Sequence, residues 1–345
     1  MTVSPTRPVR SRTVRLAALT LVAGLTLAGC SDDGGPVSGD SLQVVQDPER
    51  AEPAESPATD VEPAGEVVPA DGNVTALAAS GGTLAVAVEG ENAVQLHDLA
   101  EPGDPRTVSL PGEVASLRTI DDRIVAAMPD ADAFARIDPD SGEARTVEVD
   151  GGPAAVAERG DETLVALRDD QTVQVLDAQD RPTRAIGGEL YSADDVLVAD
   201  GGAVVLDKLR TAAFSLDLDD DAIGEGLRAG QGAAMADTDE FGRVLVTDAR
   251  NGALLAFDAE PLLLRQHHPV EGGAYGVAYD AERDVAWVTL TERNEVVGYS
   301  MRGGQPEEKF RLPTVRQPNS VTVDDRTSQV VVGSAAEEGI QVIEP

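Results

Sequence analysis

From about Glu66 to the last residue, apolar positions fall in short runs of five or six residues separated by turn residues, and the runs recur. An apolar anchor in a β-like segment returns at Leu77, Leu117, Val156, Val196, Met235, Val277 and Val321, at intervals of 40, 39, 40, 39, 42 and 44 residues. A second run follows each anchor, as in 83–88 (TLAVAV), 123–128 (RIVAAM), 243–248 (RVLVTD) and 285–290 (VAWVTL). These β-branched and aliphatic runs suit buried central strands. Third runs such as 93–98 (AVQLHD), 172–177 (TVQVLD) and 253–258 (ALLAFD) often end in Asp, whose carboxylate can fix the turn that follows. No window of a dozen residues shows a helical period.

Four short strands repeated about every 40 residues predict an all-β, seven-bladed β-propeller of four-stranded antiparallel blades over residues 66–345. The first strands carry small residues (Ala76, Ala78, Ser116, Ala155, Ala157, Ala234, Gly276, Ala278, Ser320), as crowding near a central axis requires. The seventh unit ends at its third strand, so closing the ring needs a strand from elsewhere. Residues 65–70 (GEVVPA) are the expected donor, and pairing them removes an exposed edge.

The chain opens differently. Four arginines (Arg7, Arg10, Arg12, Arg15) precede an apolar run from Leu16 to Ala28, too short to span a bilayer and flanked like a secretory signal peptide. It ends in Leu27-Ala28-Gly29-Cys30, which resembles a bacterial lipobox. The resemblance implies cleavage before Cys30, a diacylglycerol on its thiol and a location on the outer face of the cell membrane. Residues 1–29 are then a signal peptide. Residues 30–65, acidic and proline-rich, read as a disordered tether with a coil span of about 30–35 Å. The apolar cluster Ser41–Val45 within it reads as chance.

Composition narrows the chemistry. The 345 residues hold 62 acids and 27 bases, a net charge of −35; without residues 1–29, 23 bases face 62 acids, giving −39. Such a surface repels phosphate backbones, so nucleic acid is excluded as a partner and the membrane is reached through the lipid. One cysteine allows no intramolecular disulfide, and three histidines (His97, His267, His268) starve most transition-metal sites. No Gly-x-Ser-x-Gly elbow or Walker loop is present, and no catalytic residue is expected.

The repeats resemble seven-bladed propellers of the YncE and NHL type. The closest correspondence lies in Pro318-Asn-Ser-Val-Thr-Val-Asp324 followed by residues 328–333 (SQVVVG), and in residues 272–280 (GGAYGVAYD). In such propellers, the loops leading into each first strand and those joining second to third strands share the face around the channel. Bases recur there at Arg168, Lys208, Arg210, Arg250 and Arg293, with Arg316 leading into the seventh unit. In so acidic a chain they are expected to form a rim that binds an anion or carboxylate. Asn73, Glu113 and Asn319, on loops of neighbouring units, give an alternative: oxygen ligands converging on the axis to hold Ca²⁺. That arrangement resembles metal-dependent (Ca or Zn) lactonase-like hydrolases. No other cofactor is expected. The expected function is a membrane-anchored binding or scaffold lipoprotein that takes a protein or small ligand on its channel face.

Overall fold

The computed structural model describes residues 48–345, which form seven four-stranded antiparallel sheets and one short 3-10 turn at Pro129–Ala131. The sheets are the blades expected from the repeat, and almost no helix accompanies them. Their innermost strands are Val74–Ser80, Ser116–Ile120, Pro153–Arg159, Asp195–Ala199, Ala233–Thr238, Ala274–Asp280 and Pro318–Val323, and each contains its apolar anchor. In six blades each strand pairs with the next in sequence, so the fourth lies at the rim; in the seventh the rim strand is Glu66–Val68. The expected signal peptide, Cys30, Ser41–Val45 and the first part of the expected tether lie outside the described residues. No helix among the described residues is long and apolar enough to cross a membrane.

Each junction between neighbouring blades holds its own apolar cluster. With aromatics scarce, Val, Leu and Ala fill most of it. The few large rings sit deep: Phe134, Phe214, Phe257 and Trp287 are fully buried, and Trp287 stacks on Phe310 at 5.1 Å. At Gly276 an ideal Cβ would lie 3.0 Å from the Thr289 hydroxyl and 3.2 Å from the Asn319 carbonyl, tight enough to favour glycine. The aspartates ending third strands fix turns as expected. Asp138 accepts from the backbone N–H of Ser141, and Asp177 from those of Gln179 and Arg181.

The ring closes as the missing strand demanded. Glu66–Val68 pairs with Ile340–Ile343, matching Glu66 with Val342 and Val68 with Ile340. Gly65, at φ +74°, leaves room for the Val342 carbonyl, which an ideal Cβ would meet at 2.2 Å. Gln341 is fully buried beside this seam and fully bonded. Its amide donates to the carbonyls of Ala64 (2.6 Å) and Pro313 (3.0 Å), and its oxygen accepts from the Val315 N–H (3.0 Å). A buried polar group is tolerated because each bond is made.

One expectation fails. Residues 48–65, read as part of a disordered tether, are placed against the propeller over much of their length. Low hydrophobicity argues for disorder when a segment must build its own core. This one borrows a ready surface.

Candidate functional site

The channel is lined mainly by small side chains from the innermost strands and encloses a cavity of about 270 Å³. Seven charged residues line it: Arg118, Arg168, Lys208, Asp194, Asp195, Asp237 and Asp325. Arg118 is the third residue of its strand, where a propeller places small or aliphatic residues. Its side chain crosses the channel, donating to the Val196 carbonyl at 2.9 Å and to Asp195 Oδ2 at 3.2 Å. Burial opposes its charge, but Asp195 and Asp237 outweigh that and raise its pKa. Asp237 accepts 2.8 Å hydrogen bonds from the N–H groups of Thr238 and Tyr279; burial still dominates and pushes its pKa up.

Above Arg118, the Asp194 carboxylate gathers three elements. It accepts from the Lys208 backbone N–H at 2.9 Å and lies 3.3 Å from Arg168 Nε. Arg50, from the N-terminal segment, reaches it at 2.7 Å and donates to the Ser192 hydroxyl at 2.7 Å. Burial works against ionised Asp194; Lys208 and Arg50 overcome it and hold its pKa below the usual range. Lys208 is the exception in this network. Its ammonium contacts the Met235 sulfur at 3.9 Å, with no carboxylate of the described residues within ion-pair distance. Burial lowers its pKa despite the pull of Asp195 and Asp194, and Arg168 and Arg50 repel it further. An ammonium beside a polar cavity, facing other cations, is a donor without an anion.

The structure divides the expected anion rim. Arg168 and Lys208 line the cavity. Arg210 instead donates to the Glu189 carbonyl and lies over the rings of Tyr191 and Phe214 at 5.0 and 5.1 Å, bracing the blade. Arg293 sits 3.8 Å from Glu271, and Arg316 pairs with Glu338 at 3.2 Å. Arg250 donates to the carbonyls of Glu49 (2.9 Å) and Arg50 (3.3 Å), holding the N-terminal segment in place. The Asp207 and Asp248 carboxylates of these loops are spent on backbone N–H groups.

The Ca²⁺ alternative loses its geometry. Asn73 donates to Glu89 at 2.8 Å, Glu113 accepts from the Gly90 N–H at 2.9 Å, and Asn319 accepts from Gln317 at 2.9 Å. None of the three lines the channel cavity. The Glu113 carboxylate is engaged by Gly90 and the Asn319 oxygen by Gln317, while Asn73 is held through its amide nitrogen. Among the described residues, no group of three or more His, Cys, Asp or Glu could hold a metal.

Sequence reasoning missed Arg50, Arg118, Asp194, Asp195 and Asp237. A usable signal existed for Arg118 and Asp237: each is a charge inside a first strand, where crowding otherwise selects Ala, Gly or Val. Arg50 carried no such signal, because its partner lies 144 residues away.

No family model and no curated protein sequence matches this chain. Among solved structures, a chain of the Kuenenia stuttgartiensis hydrazine synthase is similar with a TM-score of 0.67 at 14% identity, over 84% of this chain and 99% of that one. Virginiamycin B lyase from Staphylococcus aureus gives 0.63 at 11% identity, over 79% of this chain and 95% of that one. A chain of a mitotic checkpoint complex gives 0.68 at 12% identity, over 87% and 98%. At these identities the likeness shows the fold, and propellers host unrelated activities. The chain is a seven-bladed β-propeller similar in fold to the virginiamycin B lyases.

Proposed function

We propose that this is an extracytoplasmic binding lipoprotein of the YncE/NHL type, anchored through Cys30, whose channel cavity takes a small organic anion. The observation that carries the reading is Lys208: a cavity-lining ammonium that no carboxylate of the described residues pairs directly, beside Arg168 and above Arg118. Three bases (Arg118, Arg168 and Lys208) line the cavity with four acids (Asp194, Asp195, Asp237 and Asp325), a larger share of bases than the 27 to 62 of the whole chain. Positive charge gathered locally in an acidic molecule favours an anion. Guanidinium and ammonium donors in one small cavity suit a carboxylate, with Arg168 offering a fork and Lys208 a point charge.

Anchoring complements this: the lipid expected at Cys30 keeps the propeller at the membrane surface, and the anion is met there. Calorimetric titration of the full mature chain with citrate, succinate and inorganic phosphate tests the binding claim. Saturable heat with at least one, lost in Lys208→Met, is expected; no heat with any of the three contradicts it.

A further inference from the structure

Residues 49–57 cross the channel face as an extended strap, and the face reads them in detail. Arg50 forks onto Asp194 and Ser192 of blade 4. Ala51 is 6% exposed and packs over Gly232 of blade 5, where an ideal Cβ would approach the Ala51 methyl to 2.9 Å. Arg250 holds the carbonyls of residues 49 and 50. Ser56 donates to the Thr291 carbonyl of blade 6 at 2.6 Å, and its N–H donates to the Gln317 side chain of blade 7 at 2.9 Å. Gln317 also donates to the Ala54 carbonyl at 3.0 Å, and Asn294 to the Pro57 carbonyl at 2.9 Å.

This is a peptide-recognition groove across four blades, with pockets for an arginine, a small residue and a serine. Its present occupant is held by separate side-chain bonds. No strand ladder holds it, and residues 58–62, exposed throughout, give it slack before the closing strand. It is also a poor electrostatic match, because Glu49, Glu52 and Glu55 are brought onto a chain whose other residues already sum to −32, the total of −35 less these three. A segment with the same anchors and neutral or basic residues between them meets a surface of opposite sign.

We infer that the channel-face rim is a docking groove for an extended segment of a partner protein, of the pattern Arg-small-(four residues)-Ser with neutral or basic intervening residues, and that the strap fills the groove until that segment displaces it. The inference shares the channel face with the proposed function but does not depend on the cavity's anion. Peptide binding without anion heat, or the reverse, separates the two.

The test uses fluorescent peptides and the full mature chain. One peptide is residues 48–58; the other carries Glu49→Gln, Glu52→Gln and Glu55→Gln. They are titrated onto the wild-type chain and onto an Arg50→Ala/Ser56→Ala variant whose unfolding midpoint is measured alongside. The glutamine peptide is expected to bind both chains, and the variant roughly tenfold tighter, equivalent to about 1.4 kcal/mol of strap competition. A Gln317→Ala chain should lose that gain. Three results overturn the inference: no peptide binding to a variant that melts like wild type, equal affinity of both peptides for both chains, or dimerisation of the wild-type chain by exchange of straps, which makes a second copy the occupant.

Discussion

The strap at 49–57 and the closing strand at 66–68 are neighbours in sequence, yet they are attached in opposite ways. The closing strand completes a sheet, buries Val68 and rests on the internally bonded Gln341. The strap is held by side chains reaching across its backbone, and much of it faces water. Burial with every polar group paired makes a permanent seam. Scattered side-chain bonds in contact with solvent make an exchangeable one. The boundary between them is where the molecule changes from scaffold to working surface.

Breaking the seam should cost most. Val68→Asp puts an unpaired carboxylate into the junction between blades 7 and 1, and a loss of about 3–5 kcal/mol is expected in denaturant unfolding. Gln341→Leu strands the Val315 N–H and the Ala64 carbonyl and leaves the Pro313 carbonyl only its bond from the Ala64 N–H, and it should cost about 1–3 kcal/mol. Cutting the strap should barely register on the same scale: Arg50→Ala and Ser56→Ala are each expected to lower stability by less than about 1 kcal/mol. If a strap variant cost as much as Gln341→Leu, the contrast between seam and strap would collapse.

Smaller effects sharpen the electrostatics. The folded-state pKa of Lys208 lies below its unfolded value of 10.5, so the unfolded chain holds the extra proton between the two values. Charged Lys208 therefore costs stability at neutral pH, and that cost is relieved as pH rises through the folded value toward 10.5. Lys208→Met should remove this rise from stability measured against pH. At the far end of the scale is Asp177, an exposed turn residue. Its hydrogen bond from the Arg181 side chain, with backbone donors, lowers its pKa to about 2. Its small contribution is present above the ordinary value of 3.8 and fades as pH falls toward 2. Its carboxyl resonance should titrate near 2, and nearer the ordinary range in Arg181→Ala.

The blades were legible in the sequence because each is local: four runs, three turns and one apolar anchor suffice to place a sheet. The ring closure was legible by subtraction, since a three-stranded final unit left an unpaired edge for residues 65–70 to fill. The site was legible in part. Loop position alone put Arg168 and Lys208 on the channel face, but it could not separate them from Arg210, which braces Tyr191 and Phe214, or from Arg250, which holds the strap. That sorting depends on which acids and carbonyls face each cation across blades. The strap was missed for a related reason: proline and glutamate signal disorder only when a chain must stabilise itself.

Lys208 and Lys309 are the only lysines in the sequence, so dimethylation with ¹³C gives one reporter in the cavity and one on an outer strand. An NMR titration of both, with and without citrate, tests the anion site directly. The account predicts that the Lys208 signal titrates below the ordinary lysine value of 10.5, and that citrate moves that titration upward without changing the Lys309 signal. A Lys208 signal that titrates at or above 10.5 and is indifferent to citrate would contradict it.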